Sequence, residues 1–225
     1  MSKTTLFIIS IVSAILSIIY SVLTYYGVTR FLRLKYGDKS LQKHLENYKN
    51  IPKFSDNRVV VAFTTTPKRI HRIIPMIKSL LDQTARVDQI LMVIPYKYQG
   101  QKYEIPEELK KVVTVVPLGC KYKNNSALVG ALLREKDANT VVIALRDDII
   151  YGADFIEQMT ENIENNDGKI SVLQKDNGTK ILGVRCGALS PDAITDEEPN
   201  YDDLWFENKT AGKQEVHYGE LFGYL

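Results

Sequence analysis

From Leu6 to Val28 the chain reads LFIISIVSAILSIIYSVLTYYGV, without one charged residue. That run constrains everything that follows, because a helix of about 20 apolar residues crosses the hydrocarbon core of a bilayer. A cleaved signal peptide carries a shorter apolar region, about 7–15 residues, ending in a small-residue cleavage site. Tyr25-Tyr26-Gly27-Val28-Thr29-Arg30 makes a poor one. Tyr20, Tyr25 and Tyr26 gather toward one end of the run, as aromatic residues do at a membrane interface. The reading is a short tail over residues 1–5 and an uncleaved single-pass anchor over residues 6–28. What remains of the 225 residues is enough for one folded domain.

Lys3 precedes the run, whereas Arg30, Arg33, Lys35, Lys39 and Lys43 follow it, offset by Asp38. Counted by the positive-inside rule, the carboxyl side faces the cytoplasm. A type II Golgi or endoplasmic-reticulum anchor would place it in the lumen instead. Asn124, Asn177 and Asn208 each open an N-glycosylation pattern, a signal too short to overturn the charge argument. The formal net charge is +2 with no clustered basic face, which gives no case for nucleic acid. Cys120 and Cys186 form neither a metal spacing nor a disulfide framework. Residues 29–57 are polar and charged and read as a partly helical stalk, with the folded domain spanning 58–225.

Within that domain, strand and helix patterns alternate. Arg58 to Phe63 is a β-branched apolar run, hence a strand, ending in Thr64-Thr65-Thr66-Pro67. Ile73, Ile74, Ile77, Leu80 and Leu81 recur at helical spacing, with Pro75 required in the first turn of that helix. Val87 to Ile94 and Val112 to Val116 are strands closed by Pro95 and Pro117, with a polar loop over 96–106. Leu128, Leu132 and Leu133 mark a short helix. Val141 to Leu145 is a fourth strand, followed by Arg146-Asp147-Asp148 and a helix from about Ala153 to Ile163. Ile181 to Val184 reads as a further strand, and the acidic stretch from Asp192 to Asp203 as an exposed loop. This order predicts an α/β fold, with a mostly parallel sheet covered by helices on both faces. Adjacent carboxylates where a buried strand ends stand where α/β sheets bind ligands, although an ordinary acidic turn fits the same residues.

Three segments, in order, resemble family-2-like glycosyltransferases of the GT-A fold: VVVAFTTTPKRI at 59–70, SLLDQT at 79–84 and DANTVVIALRDDIIYGADFIEQM at 137–159. The resemblance covers roughly residues 58–190 and implies a GT-A-type, Rossmann-like domain acting on a nucleotide-sugar donor. It implies donor contacts from Thr64, Thr65, Pro67 and Arg69 in the first-strand loop, and from Tyr122, Arg146 and Asp147. It further implies Mg²⁺ or Mn²⁺ held by Asp148 and Asp147, because a hard cation is commonly bound by one or two carboxylates plus substrate phosphates. Such a metal neutralises charge on a leaving diphosphate.

Departures from the family pattern are equally specific. Arg146 stands where the family has its first aspartate. It either attracts the diphosphate itself or pairs with Asp148 and opposes metal binding. Lys121 to Leu128 falls where the family shows Asp-Tyr-Gly-Pro-x-Thr-Lys-Leu, so Lys123-Asn124 replaces Gly-Pro and Ala127 replaces the lysine. Val216 to Tyr224 loosely resembles the Gly-rich acceptor segment, with Glu220 as a weak candidate carboxylate. The family's general base lies in an Asp-Asp segment beyond that point.

These readings lead to a membrane-anchored glycosyltransferase with a uridine or guanosine diphosphate-sugar donor. Its acceptor, a glycan, lipid or protein, stays open. The alternative is a catalytically impaired GT-A-like domain retained as a membrane-tethered binding or scaffold protein. A nucleotidyltransferase would show a Gly-rich basic loop after the first strand, and residues 64–70 contain no glycine.

Overall fold

The computed structural model describes residues 3–118, 125–166, 171–174, 180–188, 214–216 and 222–224. The chain divides into two compact units, Met1–Asp38 and Lys39–Leu225.

In the first unit, helix α1 spans Lys3–Tyr25 and α2 spans Val28–Tyr36. At 1.5 Å per residue α1 is about 34 Å long, which matches a bilayer core of about 30 Å. None of its side chains is buried, and large apolar residues such as Phe7, Leu16 and Ile18 are exposed around it. By length and composition this helix is able to cross a membrane. The uncharged run continues to Val28, but the helix stops at Tyr25. The break falls where Gly27 takes φ of 66°, a left-handed conformation that glycine adopts without a Cβ clash.

The second unit opens with α3 (Leu41–Tyr48), capped by the Ser40 hydroxyl, which accepts from the Lys43 nitrogen. Leu41 and Tyr48 join the domain core, so a piece of the expected stalk packs with the sheet. Strands β1 (Val59–Phe63), β2 (Gln89–Pro95), β3 (Thr114–Leu118) and β4 (Val141–Leu145) alternate with α4 (Ile74–Leu80), α5 (Glu107–Lys110) and α6 (Ser126–Arg134). The two-residue β5 (Ile149–Ile150), α7 (Phe155–Asn165), β6 (Ser171–Gln174), β7 (Lys180–Arg185), β8 (Gln214–Val216) and β9 (Phe222–Tyr224) follow.

The main sheet has the order β3-β2-β1-β4-β7-β6-β8. Its first four members are mutually parallel, while β7 runs antiparallel to β4 and to β6, and β8 runs parallel to β6. This is the α/β sandwich that the alternating patterns predict. Strands buried on both faces need apolar residues at every position, and every residue of β1 is buried. Val59, Val61 and Phe63 face a core shared with α3, α4 and α7. Val60 and Ala62 face a second core closed by α6.

Pro75 lies in the first turn of α4, where its missing N–H costs nothing. Pro117 behaves differently from expectation. It lies inside β3, pairing with Ile94, because β3 is the outer strand of the sheet and tolerates a residue without a donor.

Candidate functional site

The sheet's connections reverse between β1 and β4: β2 and β3 lie to one side of β1, β4 to the other. In open α/β sheets such a switch point opens a crevice at the carboxyl ends of the strands. Phe63 and Leu145 are register partners, so the segments beginning at Thr64 and Arg146 leave the sheet side by side.

The β1 segment turns at once. The Thr66 carbonyl accepts from the Arg69 nitrogen at 2.9 Å, a turn with Pro67 at its second position, where proline presets the backbone. This turn presents Arg69, whose Nη2 lies 3.1 Å from Asp147 Oδ1. Pro67 therefore shapes the turn that carries the cation. Thr64 is half-buried, and Thr65 is buried.

The β4 segment is held from beneath. Tyr151, completely buried, accepts a hydrogen bond on its hydroxyl from the Arg146 nitrogen and donates one to the Arg146 carbonyl. The Tyr151 ring packs on Phe155 with centroids 4.6 Å apart. Burial drives its phenol far above the ordinary range, so it stays a neutral hydroxyl. The Tyr151 nitrogen donates to Ser79 Oγ, and Gln83 Nε2 donates to the carbonyls of Ser79 and Gly152 while its Oε1 accepts from the Ile156 nitrogen. Thr84 adds a bond from its nitrogen to the Ala153 carbonyl. The segment at 79–84 is thus a polar clamp on the acid-bearing segment, which explains buried Ser79 and Gln83 in an apolar environment.

Arg146 forms a fork with Asp148, Nε to Oδ1 at 2.9 Å and Nη2 to Oδ2 at 2.8 Å. That guanidinium, foremost, holds the Asp148 carboxyl below its usual value. Asp147 is pushed the other way. Its burial raises the carboxyl pKa and outweighs the neighbouring Thr65 hydroxyl and Arg69, which lower it. Thr65 Oγ1 and Asp147 Oδ2 are sealed from solvent, and neither makes a hydrogen bond of full geometry. Thr65 is thus near enough to bias the charge of Asp147 without being aligned with it.

The structure brings Arg69, Arg146, Asp147 and Asp148 into one cluster, with Thr65 below it. Tyr122 and Glu220 lie outside the described residues. Ala127, where the family pattern has a lysine, is buried in the second core as part of α6. The backbone of β9 pairs with β5 just beyond Asp148, bringing Phe222–Tyr224 beside the cluster. Tyr103, in the loop after β2, is an addition. Its hydroxyl donates to the Thr65 carbonyl at 3.0 Å, and its pKa, pushed up to about 12 chiefly by burial, also responds to Arg69 and Asp147. Nothing in the sequence sets it apart from Tyr96 and Tyr98 in the same polar loop. Tyr151, Ser79 and Gln83 stood inside the quoted motifs, but their clamp depends on tertiary contacts.

As expected metal ligands, Asp147 and Asp148 do not fit a divalent cation in this arrangement. Both oxygens of Asp148 are occupied by Arg146, and Asp147 is buried against Arg69. Among the described residues no group of three or more His, Cys, Asp or Glu side chains is placed to hold a metal.

No family model matches the chain, and no curated protein matches it. Among solved structures it is similar to a Mycobacterium tuberculosis rv0371c homolog from mycobacterium sp. strain JC1, at 17% identity and a TM-score of 0.43, covering 72% of this chain and 86% of that chain. It is also similar to Rv0371C in complex with manganese from Mycobacterium tuberculosis H37Rv, at 12% identity and a TM-score of 0.42, covering 73% and 89%. A third is 4-diphosphocytidyl-2C-methyl-D-erythritol synthase from Anaerococcus prevotii DSM 20548, at 11% identity and a TM-score of 0.41, covering 72% and 90%. Likenesses this slight carry no argument about activity, and the fold stands on its own strand order.

Proposed function

We propose that this chain is a membrane-anchored transferase whose α/β domain takes a nucleoside-diphosphate sugar at the carboxyl ends of β1 and β4 and passes the sugar to an acceptor. The observation that carries this reading is the convergence of Arg69 and Arg146 at the switch point, each beside an aspartate. Guanidinium groups match phosphate oxygens in a planar, two-point geometry, and this crevice is where such folds place ligands. The three GT-A-like segments contribute the β1 turn, the clamp and the acid-bearing segment to one place, which supports sugar transfer over other uses of a bound nucleotide.

Anchoring is assigned to α1, with the α/β domain on the cytoplasmic side by the basic residues that follow the span. Protease protection of a carboxyl-terminal tag in sealed vesicles tests this, since protection would place the domain in the lumen.

The test of function uses the full chain purified in detergent. UDP-sugars and GDP-sugars are expected to raise its thermal midpoint, and one of them to release its nucleotide when membranes supply an acceptor. Absence of any nucleotide-dependent shift, with and without Mg²⁺ or Mn²⁺, would remove the donor-site reading. A second reading, a binding domain without turnover, is favoured by the closed Arg146–Asp148 fork. It predicts the thermal shift without nucleotide release.

A further inference from the structure

The charges at the switch point form closed pairs whose members are unequally exposed. The Arg146 and Arg69 side chains are 46% and 44% exposed, their partners Asp148 and Asp147 only 25% and 5%. A ligand arriving from solvent therefore meets guanidinium before carboxylate. Lys68 and Arg72 flank Arg69 and are also exposed, and residues 64–72 contain no acid. Below the guanidiniums lies the Asp147 carboxylate, more than nine-tenths buried, with one oxygen lacking a partner. That oxygen is an acceptor and a phosphate cannot complete it, so the buried acid serves as the counter-ion of Arg69.

A dication entering here has to open the Arg146–Asp148 fork, leave a guanidinium without its counter-ion and sit beside two positive groups. An oligophosphate leaves both pairs closed and approaches from the guanidinium side, with the less exposed carboxylates offsetting part of the attraction. Nε and Nη2 of Arg146 serve Asp148, so the phosphate oxygens meet the solvent-facing side of each guanidinium, held in place by that pairing, and the backbone of Arg146 is fixed by Tyr151.

We propose that Arg146 and Arg69 bind the diphosphate of a nucleoside diphosphate without a divalent cation, with Asp148 and Asp147 as the fixed counter-ions that orient them. The proposal rests on the donor-site reading above and gives the charge role of a metal to two side chains. It concerns the phosphate groups alone, so inorganic pyrophosphate is recognised by the same chemistry, and uridine is not.

Isothermal titration of the detergent-purified full chain tests it, with UDP, pyrophosphate and uridine as probes, each in EDTA and in Mn²⁺. UDP is expected to bind with the same affinity, within twofold, in both conditions, and pyrophosphate to compete with it while uridine does not. Arg146→Gln, which keeps a polar donor but removes the charge and the fork, is expected to weaken UDP at least tenfold in EDTA. Arg69→Gln serves as the second variant, with circular dichroism to show that each is folded. Binding of UDP only with Mn²⁺ overturns the inference and leaves the donor-site reading standing. Unchanged affinity in both folded variants overturns it too. Failure of UDP to bind in either condition overturns the uridine-diphosphate form of the donor reading, and this proposal for UDP with it.

Discussion

The Tyr151 hydroxyl bridges both backbone polar groups of Arg146, accepting from its nitrogen at 2.8 Å and donating to its carbonyl at 3.0 Å. One buried side chain thereby fixes the direction in which the acid-bearing segment leaves β4. Tyr151→Phe keeps the ring and deletes both bonds. Removing a partner from buried backbone groups costs about 1–3 kcal/mol. The expected outcome is a lower thermal midpoint with unchanged circular dichroism, and a change of less than about 0.5 kcal/mol would show that water replaces the hydroxyl.

Gln83 is the second fixing point, since its amide serves the Ser79 and Gly152 carbonyls and the Ile156 nitrogen. Gln83→Leu fills the same space and leaves those groups without this partner. A loss of about 3 kcal/mol is expected from the desolvation cost of such groups. Hydrogen exchange should quicken at Ile156 before it does at β1. Uniform exchange along the sheet would contradict a local clamp.

Acid titration separates the two aspartates. The folded state holds Asp148 below the ordinary carboxylate value through Arg146, so that stabilisation is present above the unfolded value and is lost as pH falls through the folded one. Asp147 is raised by burial, so its contribution has the opposite sign. It is full below the unfolded value and is lost as pH rises through the folded one. In urea denaturation, the stability gap between wild type and Asp148→Asn should narrow on going from pH 7 to pH 3, and that for Asp147→Asn should shift in favour of the wild type. The Asp148 effect is about 1 kcal/mol at most, given its partial exposure and screening. Parallel movement of the two gaps would refute these assignments.

Gly130 brings α6 close to β2. A Cβ built there would lie 2.4 Å from Val93 Cγ1. Alanine favours a helix over glycine by about 1 kcal/mol, whereas overpacking a core costs about 1–3 kcal/mol. Gly130→Ala is therefore expected to destabilise, and Val93→Ala in the same chain to recover part of the loss, measured as a double-mutant cycle in thermal unfolding.

Much of the sheet was legible because buried parallel strands must be apolar throughout, as in VVVAF and VVIAL. Helices α4 and α7 were legible from apolar spacing, since each covers one face of that sheet. The two-residue β5 was not, because so short a pairing leaves no pattern and depends on β9 at the far end of the chain. Nor was α3 legible as core, because its buried residues Leu41, His44 and Tyr48 include a polar side chain and stand among charged and polar neighbours. At the site, residue types and order placed Asp147 and Asp148 after β4 and Arg69 after β1. The Arg146–Asp148 pair was one of two readings open to the sequence, whereas the pairing of Arg69 with Asp147 lies beyond it, because those two meet only through the β1–β4 register.

Pro117 has a further consequence. An outer strand offers its open edge to any second strand that comes alongside, a common route to aggregation. Proline brings no N–H to that edge, so the β3 margin carries a gap in its donors at the fourth residue of a five-residue strand. A membrane confines its proteins to two dimensions and raises how often identical domains meet. Under the anchoring proposed for α1, the gap would work as a built-in guard against one copy's sheet continuing into the next.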